Sequence, residues 1–373
     1  MKIKIGSNYI GERGKCFVIA EAGCNHNGKL KLAMELIESA KECGCNAIKF
    51  QAFKTENLVS RNAAKARYQK GRSCGSSQFE MLKSLELSIK EHRRIIEYAK
   101  KIGIPLFYSV FDVDSADLVE RLGVDIFKLG SGELTNIPFI NYLAKKGRLL
   151  ILSTGMATDS EIQEAVDTFR GTGNKKLILM HCSTGYPSRI KNANLRRAGY
   201  LAQRFSTVCG NSDHTTGIIV SALAAALGMP IIEKHFTLSK KLPGPDQRMS
   251  MDRLGMKKLC SIVRLLEKKP VREDGLQDTL KKAGINLSKF GIRQILGAAD
   301  RRLLESEKRQ RVWARKSIIA IRDIKKGAVI TSSDLAIKRP EEGIMPKYYD
   351  KVLGARARIF IKKETPINWG MLQ

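Results

Sequence analysis

Short apolar runs and helix-periodic stretches alternate through the first two thirds of the chain. Eight runs stand out, at residues 16–20, 47–50, 105–108, 125–128, 149–152, 177–180, 207–209 and 230–233. Runs this short are strand-length. Most are separated by a segment with a 3.6-residue period. In 30–43, Leu32, Leu36, Ile37 and Ala40 fall on one helical face. Residues 87–101 read as a helix opened by a capping box, with Ser88 as N-cap and Glu91 three residues on. The stretches 114–122, 138–146, 159–169 and 217–228 continue the alternation. Repeated strand–helix units imply a parallel sheet with right-handed crossovers, and eight of them close into a (β/α)8 barrel. A doubly wound open sheet is the rival, but no GxGxxG follows the first run.

Two regions break the rhythm. Residues 55–85 form a long insertion carrying Arg61, Lys65, Arg67, Gln69 and Lys70, expected to lie as a loop over the site. Residues 252–311 are helical, basic and low in strand signal. From Trp313 onward, short segments at 317–321, 323–327, 329–331 and 357–361 read as strands with turns between them. The expected organisation is an α/β TIM barrel over 1–254, closing helices and a linker over 255–312, and a small β-rich domain over 313–373.

Composition changes this picture little. Of 373 residues 43% are apolar, enough for a full core. The first residues, Met1-Lys2-Ile3-Lys4-Ile5-Gly6, lack an apolar signal core. No run reaches the ~18 apolar residues of a membrane helix. The eight cysteines include no CxxC pair, and several sit in apolar patterns, which suits a reduced compartment. These features together give a cytoplasmic expectation. The net charge of +29 raises nucleic-acid binding as a question. The basic residues are scattered along helix faces, often beside Glu, and aromatics for base stacking are few. The pattern therefore reads as a solvated basic surface whose field attracts anions.

Candidate chemistry gathers at the carboxyl ends of the runs, where parallel α/β folds build sites. His214, in Gly210-Asn211-Ser212-Asp213-His214-Thr215, and His235, in Glu233-Lys234-His235-Phe236, follow successive runs. Two imidazoles at neighbouring strand ends can share a metal ion. Lys49 and Lys128 lie at the ends of two other runs, and Ser109, Ser131 and Ser153 accompany them, Ser131 between two glycines and Ser153 two residues before a third. Lysine supplies charge to an anion, while hydroxyls and glycine-freed N–H groups supply directed bonds. A phosphate or carboxylate site fits this convergence.

These residues resemble the sialic acid synthases. The resemblance rests on Glu21-Ala22-Gly23, Asn25-His26-Asn27-Gly28, Lys49-Phe50-Gln51, Gly130-Ser131-Gly132-Glu133, Ser153-Thr154-Gly155-Met156, Ser212-Asp213-His214-Thr215, Glu233-Lys234-His235-Phe236-Thr237 and Pro243-Gly244-Pro245-Asp246. Arg315-Lys316-Ser317, Asp323-Ile324-Lys325-Lys326-Gly327 and Val352-Leu353-Gly354 resemble that family's C-terminal antifreeze-like (β-clip, SAF) domain.

The resemblance implies a reaction. Phosphoenolpyruvate adds through its methylene carbon to the aldehyde of an open-chain N-acetylmannosamine-type sugar. Water attacks the former enol carbon, and phosphate leaves. A divalent metal, Mn2+ or Mg2+, is the implied cofactor, with His214 and His235 as its ligands. Lys128, Ser131, Ser153 and Ser212 match positions around the phosphate. Lys49 and Ser109 match positions near the carboxylate. Gln51, Glu133, Tyr186 and Asp246 match sugar-facing positions, and Glu21 is a candidate for proton transfer. Arg315 matches a tail arginine that reaches the sugar, usually across a domain-exchanged homodimer, with Lys316 as the alternative. Three positions depart from the pattern: Gln247 where relatives have His, Val110 where they have Pro, and Thr184 where they often have Asn. The first is expected to bear on sugar preference. Alternative readings are a legionaminic acid synthase, which takes a 2,4-diacetamido-2,4,6-trideoxymannose, and a non-catalytic polysaccharide-associated relative.

Overall fold

Parallel strands buried on both faces read as unbroken apolar runs, and the eight runs form such strands. In the computed structural model, which describes residues 2–11, 15–66, 69, 75–185, 187–300 and 303–373, a short hairpin comes first: β1 (Ile3–Ile5) and β2 (Asn8–Ile10) pair antiparallel. The barrel follows as β3 (Phe17–Gly23), β4 (Ala47–Ala52), β5 (Leu106–Val110), β6 (Ile126–Leu129), β7 (Leu149–Ser153), β8 (Leu177–His181), β9 (Val208–Asp213) and β10 (Ile231–His235). Neighbours in sequence pair in parallel, and β10 closes on β3. The hairpin has no counterpart in the expectation, because three-residue strands leave no periodicity to read.

Most strands run further toward their carboxyl ends than the apolar runs. β9 reaches Asp213 where the run stops at 209, and β10 reaches His235 where it stops at 233. The backbone ladder continues there while the side chains turn polar. Polar residues at strand ends are thus held by ladder hydrogen bonds rather than by loops.

The helices follow the periodicity closely. The first, α1 (Leu30–Glu42), is followed by two short helices inside the insertion, α2 (Thr55–Leu58) and α3 (Gln78–Lys83). Then come α4 (Ile89–Ile102), α5 (Val113–Arg121), α6 (Ile137–Lys145), α7 (Asp159–Gly171), α8 (Arg196–Arg204) and α9 (Ile219–Ala226). Ser88 caps α4 and forms its capping box with Glu91. Next, α10 (Arg253–Leu266) buries Met256, Leu259, Cys260 and Val263 in the barrel core. The helices α11 (Leu276–Lys282) and α12 (Lys289–Leu296) add Leu276, Leu280, Ile292 and Ile295 to the same core.

The last long helix, α13 (Glu305–Ala314), delivers the chain to the C-terminal domain. Here the strand expectation is corrected. Only β11 (Ser317–Ala320) and β12 (Leu335–Lys338) form a ladder, and a short helix, α14 (Tyr349–Val352), lies between them and the end of the chain. The segments expected at 323–327, 329–331 and 357–361 are joined by single bridges, Ile324 to Ile361, Val329 to Arg356 and Ala357 to Leu372. Their core is small: Ile318, Ile324, Ile330, Val352, Ile361 and Ile367 pack together. A core of this size gains from docking on a larger body.

The domain docks on its own chain's barrel. The Lys316 ammonium lies 3.1 Å from Glu133 Oε1, with both side chains at most 1% exposed. Arg315 makes a bidentate pair with Glu161, at 2.8 and 3.0 Å, and Lys347 pairs with Glu164 at 3.0 Å. The Arg339 N–H donates to Leu58 O, and the Ser60 N–H donates to Arg339 O, each at 3.0 Å. No helix among the described residues is long and apolar enough to cross a membrane.

Candidate active site

A cavity of about 150 Å3 opens at the carboxyl ends of the strands, beneath the docked C-terminal domain. Its lining includes Glu21, Lys49, Gln51, Ser109, Lys128, Ser131, Ser153, Ser212, His214, His235 and Asp246. Eleven of the fourteen residues assigned from sequence therefore share one space. Glu133 and Arg315 do not line it, and Tyr186 lies outside the described residues, as do Arg67, Lys70 and Cys74.

The two lysines are buried, each held by a serine. Lys49 Nζ donates to Ser109 Oγ at 2.7 Å and is ion-paired with Glu21. Lys128 Nζ donates to Ser153 Oγ at 2.6 Å and to Leu129 O at 3.0 Å. Burial lowers the Lys128 ammonium below its ordinary range, so an anion beside it would restore lost charge stabilisation. Beside these cations the loop after β7 presents backbone. The Gly155 N–H donates to Ser131 Oγ at 3.0 Å. A Cβ on Gly155 would collide with Thr184 Oγ1, with Cys182 Sγ at 2.7 Å and with Ser131 Oγ at 2.8 Å. Glycine is needed here for close approach. Met156 follows with φ of 59°, a left-handed conformation a non-glycine residue rarely adopts. Its carbonyl accepts from Arg311 Nε at 2.8 Å and Arg315 Nη2 at 2.9 Å, which hold the strained turn.

Two carboxylates share the Lys49 charge. Burial pushes the Glu21 carboxyl up to about 7 against the pull of Lys49. Burial alone would raise Glu233 as well, but Lys49 and Lys128 hold it below its ordinary value. Environments that push two carboxyls apart mark an acid and a base. Glu233 Oε1 accepts from Ser212 Oγ at 3.1 Å, and Glu233 Oε2 lies 3.8 Å from Lys49. Glu233 lines the cavity yet was not among the residues assigned from sequence. The available signal was its place within the last apolar run, two residues before His235.

His214 and His235 bring their rings to 5.5 Å between centroids. Burial depresses both, His214 to about 4 and His235 well below its ordinary value, so both are neutral at physiological pH, the ligating form. Behind them, Lys234 and Asp213 form a buried pair at 2.8 Å, and Ser221 of α9 donates to Asp213 at 2.6 Å. This pair lies on the outer face of the two strands and fixes their ends. Two neutral nitrogen donors on one cavity fit a divalent cation whose remaining positions are left to water and substrate oxygens. Among the described residues there is no group of three or more His, Cys, Asp and Glu that could hold a metal.

Three sequence readings change. Arg315 turns away from the cavity to Glu161, whose place in the first turn of α7 supplies a bidentate carboxylate. Arg339 lines the cavity instead, its backbone fixed to the insertion and its guanidinium 5.4 Å from the Phe111 ring centroid. Glu133 faces Lys316 and Asn136, whose Nδ2 donates to it at 2.9 Å. Gln247, expected to bear on the sugar, does not line the cavity. It is 1% exposed and fastens the loop beneath Asp246 through Asn25 O at 2.9 Å, Asn27 Oδ1 at 3.2 Å and Thr237. Asp246 itself is raised to about 6 by burial. The insertion does lie over the site: Gln69, Gln78, Met81, Leu82 and Leu85 line it, with Trp313 and Ala314 from the end of α13. Gly132 admits that segment, since a Cβ there would strike the Ala314 carbonyl.

Comparison with known proteins places this arrangement. The model of the NeuB family matches residues 36–273, and that of the SAF domain matches 315–373. The chain belongs to the NeuB family. It is 40% identical to the N,N'-diacetyllegionaminic acid synthase of Legionella pneumophila, covering 97% of each chain. It is also 40% identical to the enzyme of the same name from Campylobacter jejuni, over 95% of this chain and 99% of that one. Among solved structures, a spore coat polysaccharide biosynthesis protein from Bacillus subtilis aligns with a TM-score of 0.79 at 30% identity, covering 100% of this chain and 99% of that one. The NeuB-family chain is thus an enzyme of the synthase type, a (β/α)8 barrel carrying a C-terminal SAF domain.

Proposed function

We propose that the chain condenses phosphoenolpyruvate with open-chain 2,4-diacetamido-2,4,6-trideoxymannose, giving a nine-carbon 2-keto acid with two acetamido groups and phosphate. The observation that carries the reaction class is the meeting, in one cavity, of a two-lysine cradle, two carboxyls of opposed proton affinity and a neutral histidine pair. The choice of acceptor is supported by the 40% identity to two N,N'-diacetyllegionaminic acid synthases. It replaces the N-acetylmannosamine preferred on motifs alone.

In this reading Lys49, with Ser109, faces the carboxylate, and Lys128, with Ser131, Ser153, Ser212 and the Gly155 loop, faces the phosphate. Holding both ends fixes the methylene carbon toward the aldehyde. A bond forms from that carbon to the sugar's C1, water adds to the former enol carbon, and the C–O bond to phosphate breaks. A divalent ion held by His214 and His235 would supply polarisation of the aldehyde oxygen and a place for water. Glu21 holds a proton near neutral pH and is placed to give or take it at the oxygen atoms, while Glu233, kept ionised, suits activation of water. Gln51, Asp246 and Arg339 are the polar groups offered to sugar hydroxyls.

The test is an acceptor panel. The protein, phosphoenolpyruvate and Mn2+ are incubated separately with the diacetamido sugar, its 6-hydroxy analogue and N-acetylmannosamine, and products are identified by mass. A preference for the diacetamido sugar is expected. A preference for N-acetylmannosamine would assign the neuraminate reaction instead.

A further inference from the structure

One wall of the cavity is unlike the rest. Met81 and Leu82 of α3, with Leu85 just beyond it, face the space together with Cys24 and Phe111 from the ends of β3 and β5. These five belong to a small hydrophobic cluster separate from the barrel core. Three amides line the same cavity: Gln51, Gln69, whose Oε1 accepts from the Ala66 N–H at 3.0 Å, and Gln78. Gln78, the first residue of α3, lines the cavity and is 1% exposed, and its Nε2 has no hydrogen-bond partner among the described residues. Its backbone is well anchored: the N–H donates to Ala63 O at 2.9 Å, and Ser77 with Glu80 forms the capping box at the helix start.

A buried donor without an acceptor is disfavoured and rare. Gln51, the nearby amide on β4, is engaged at both ends, accepting from Cys24 Sγ at 3.3 Å and donating to Glu21 at 3.4 Å. Gln78 therefore carries a buried, unpaired donor on a side chain that lines this apolar wall. Met81, Leu82 and Leu85 present an uncharged surface, while the Arg339 guanidinium lies 5.4 Å from the Phe111 ring centroid. A group with one carbonyl oxygen and one methyl matches both halves of the wall.

We propose that Gln78 recognises an acetamido group of the acceptor, donating from Nε2 to the carbonyl oxygen while the methyl packs on Met81, Leu82 and Leu85. This rests on the reading that the acceptor is a diacetamido sugar, and it assigns one specificity-determining residue to the insertion. An amide that reads an acetamido carbonyl also rejects analogues lacking it, because its N–H is then left unpaired.

The experiment crosses variants with substrates. Gln78→Met keeps the side-chain length but has no N–H to donate, and Gln78→Leu removes the polar group and shortens the chain. Each is assayed with the diacetamido sugar and with the two analogues in which one acetamido group is replaced by hydroxyl. For the diacetamido sugar, kcat/KM should fall about tenfold to a hundredfold. For one of the two analogues it should change less than about twofold, because that analogue has already lost the contact. The KM for phosphoenolpyruvate and the melting temperature should stay near wild type, which separates recognition from folding. Equal losses on all three sugars, or none on any, would overturn the assignment. If the wild type instead prefers N-acetylmannosamine, the diacetamido reading fails by itself. The role of Gln78 is then decided by the same comparison between N-acetylmannosamine and mannose.

Discussion

Replacing Lys316 by Met should detach the C-terminal domain from the site. The Lys316 ammonium lies 3.1 Å from Glu133 Oε1, and both side chains are at most 1% exposed. At that separation the attraction is about 5 kcal/mol with an effective dielectric constant of about 20. Breaking a buried pair from one side costs about 3–5 kcal/mol, because the remaining charge is stranded. Lys316 also donates to the Phe111 carbonyl, so the variant leaves a second acceptor open. The next residues outward matter for the site: Trp313 and Ala314 line the cavity and Arg339 reaches it from the same domain. If docking holds these three in place, Lys316→Met should lower kcat/KM for the acceptor by about a hundredfold or more, while the KM for phosphoenolpyruvate, which the proposed function assigns to Lys49 and Lys128, moves less than about threefold. Urea unfolding should show the stability loss. Pairing Lys316→Met with Glu133→Gln should restore much of it, since the stranded charge is removed, without restoring turnover. Additive losses in the double variant, or full acceptor kinetics in the single one, would refute the argument.

Three further outcomes follow from the geometry. His235→Ala should abolish tight Mn2+ binding, read by electron paramagnetic resonance of the free ion, while far-ultraviolet circular dichroism stays unchanged; retained binding would remove the histidine pair as the donor set. Gly155→Ala should cost about 1–3 kcal/mol by overpacking against Thr184, Cys182 and Ser131, and should weaken phosphoenolpyruvate more than the sugar; unchanged substrate kinetics would contradict the Gly155 loop as part of the anion cradle. Burial lowers His26 to about 3 and His92 to about 4. The folded values lie below the unfolded ~6.5, so the unfolded chain takes up these protons first. Stability is therefore full above about pH 6.5 and falls on acidification toward pH 4, by about 2–3 kcal/mol per histidine at pH 4.5. His92→Gln keeps a polar partner for the Tyr108 hydroxyl, which lies 3.3 Å from His92 Nδ1, and should flatten the slope of urea stability between pH 7 and 4.5; an unchanged slope would reject the assignment.

The barrel was legible because parallel strands and amphipathic helices impose different periods on one chain, and eight alternations leave few topologies. The cavity was legible for a related reason: residues at strand ends converge wherever the barrel closes, so Lys49, Lys128, His214 and His235 meet without any loop being read correctly. What escaped depended on long-range pairing. Arg315 and Arg339 both belong to the small domain, and long-range bonds separate them: Arg315 is drawn to Glu161 and Met156, while the Arg339 backbone is fixed to Leu58 and Ser60 and that residue lines the cavity. Gln78 sits in an insertion without clear period, and its helix is six residues long. In the C-terminal domain, isolated bridges stand where strands were expected, because turns every few residues interrupt the ladder. Gln247 looked like a substrate position because it follows the Pro-Gly-Pro-Asp turn. Its side chain folds back to hold that turn, which neighbouring residues in sequence cannot reveal.

The most direct test of the whole account is phosphate release from phosphoenolpyruvate by protein stripped of metal, with each component omitted in turn. The account predicts release only when Mn2+ or Mg2+ and an acetamido sugar are both present, with one phosphate formed per nine-carbon keto acid. Release without a sugar, or none with any acetamido sugar in the presence of metal, would contradict it.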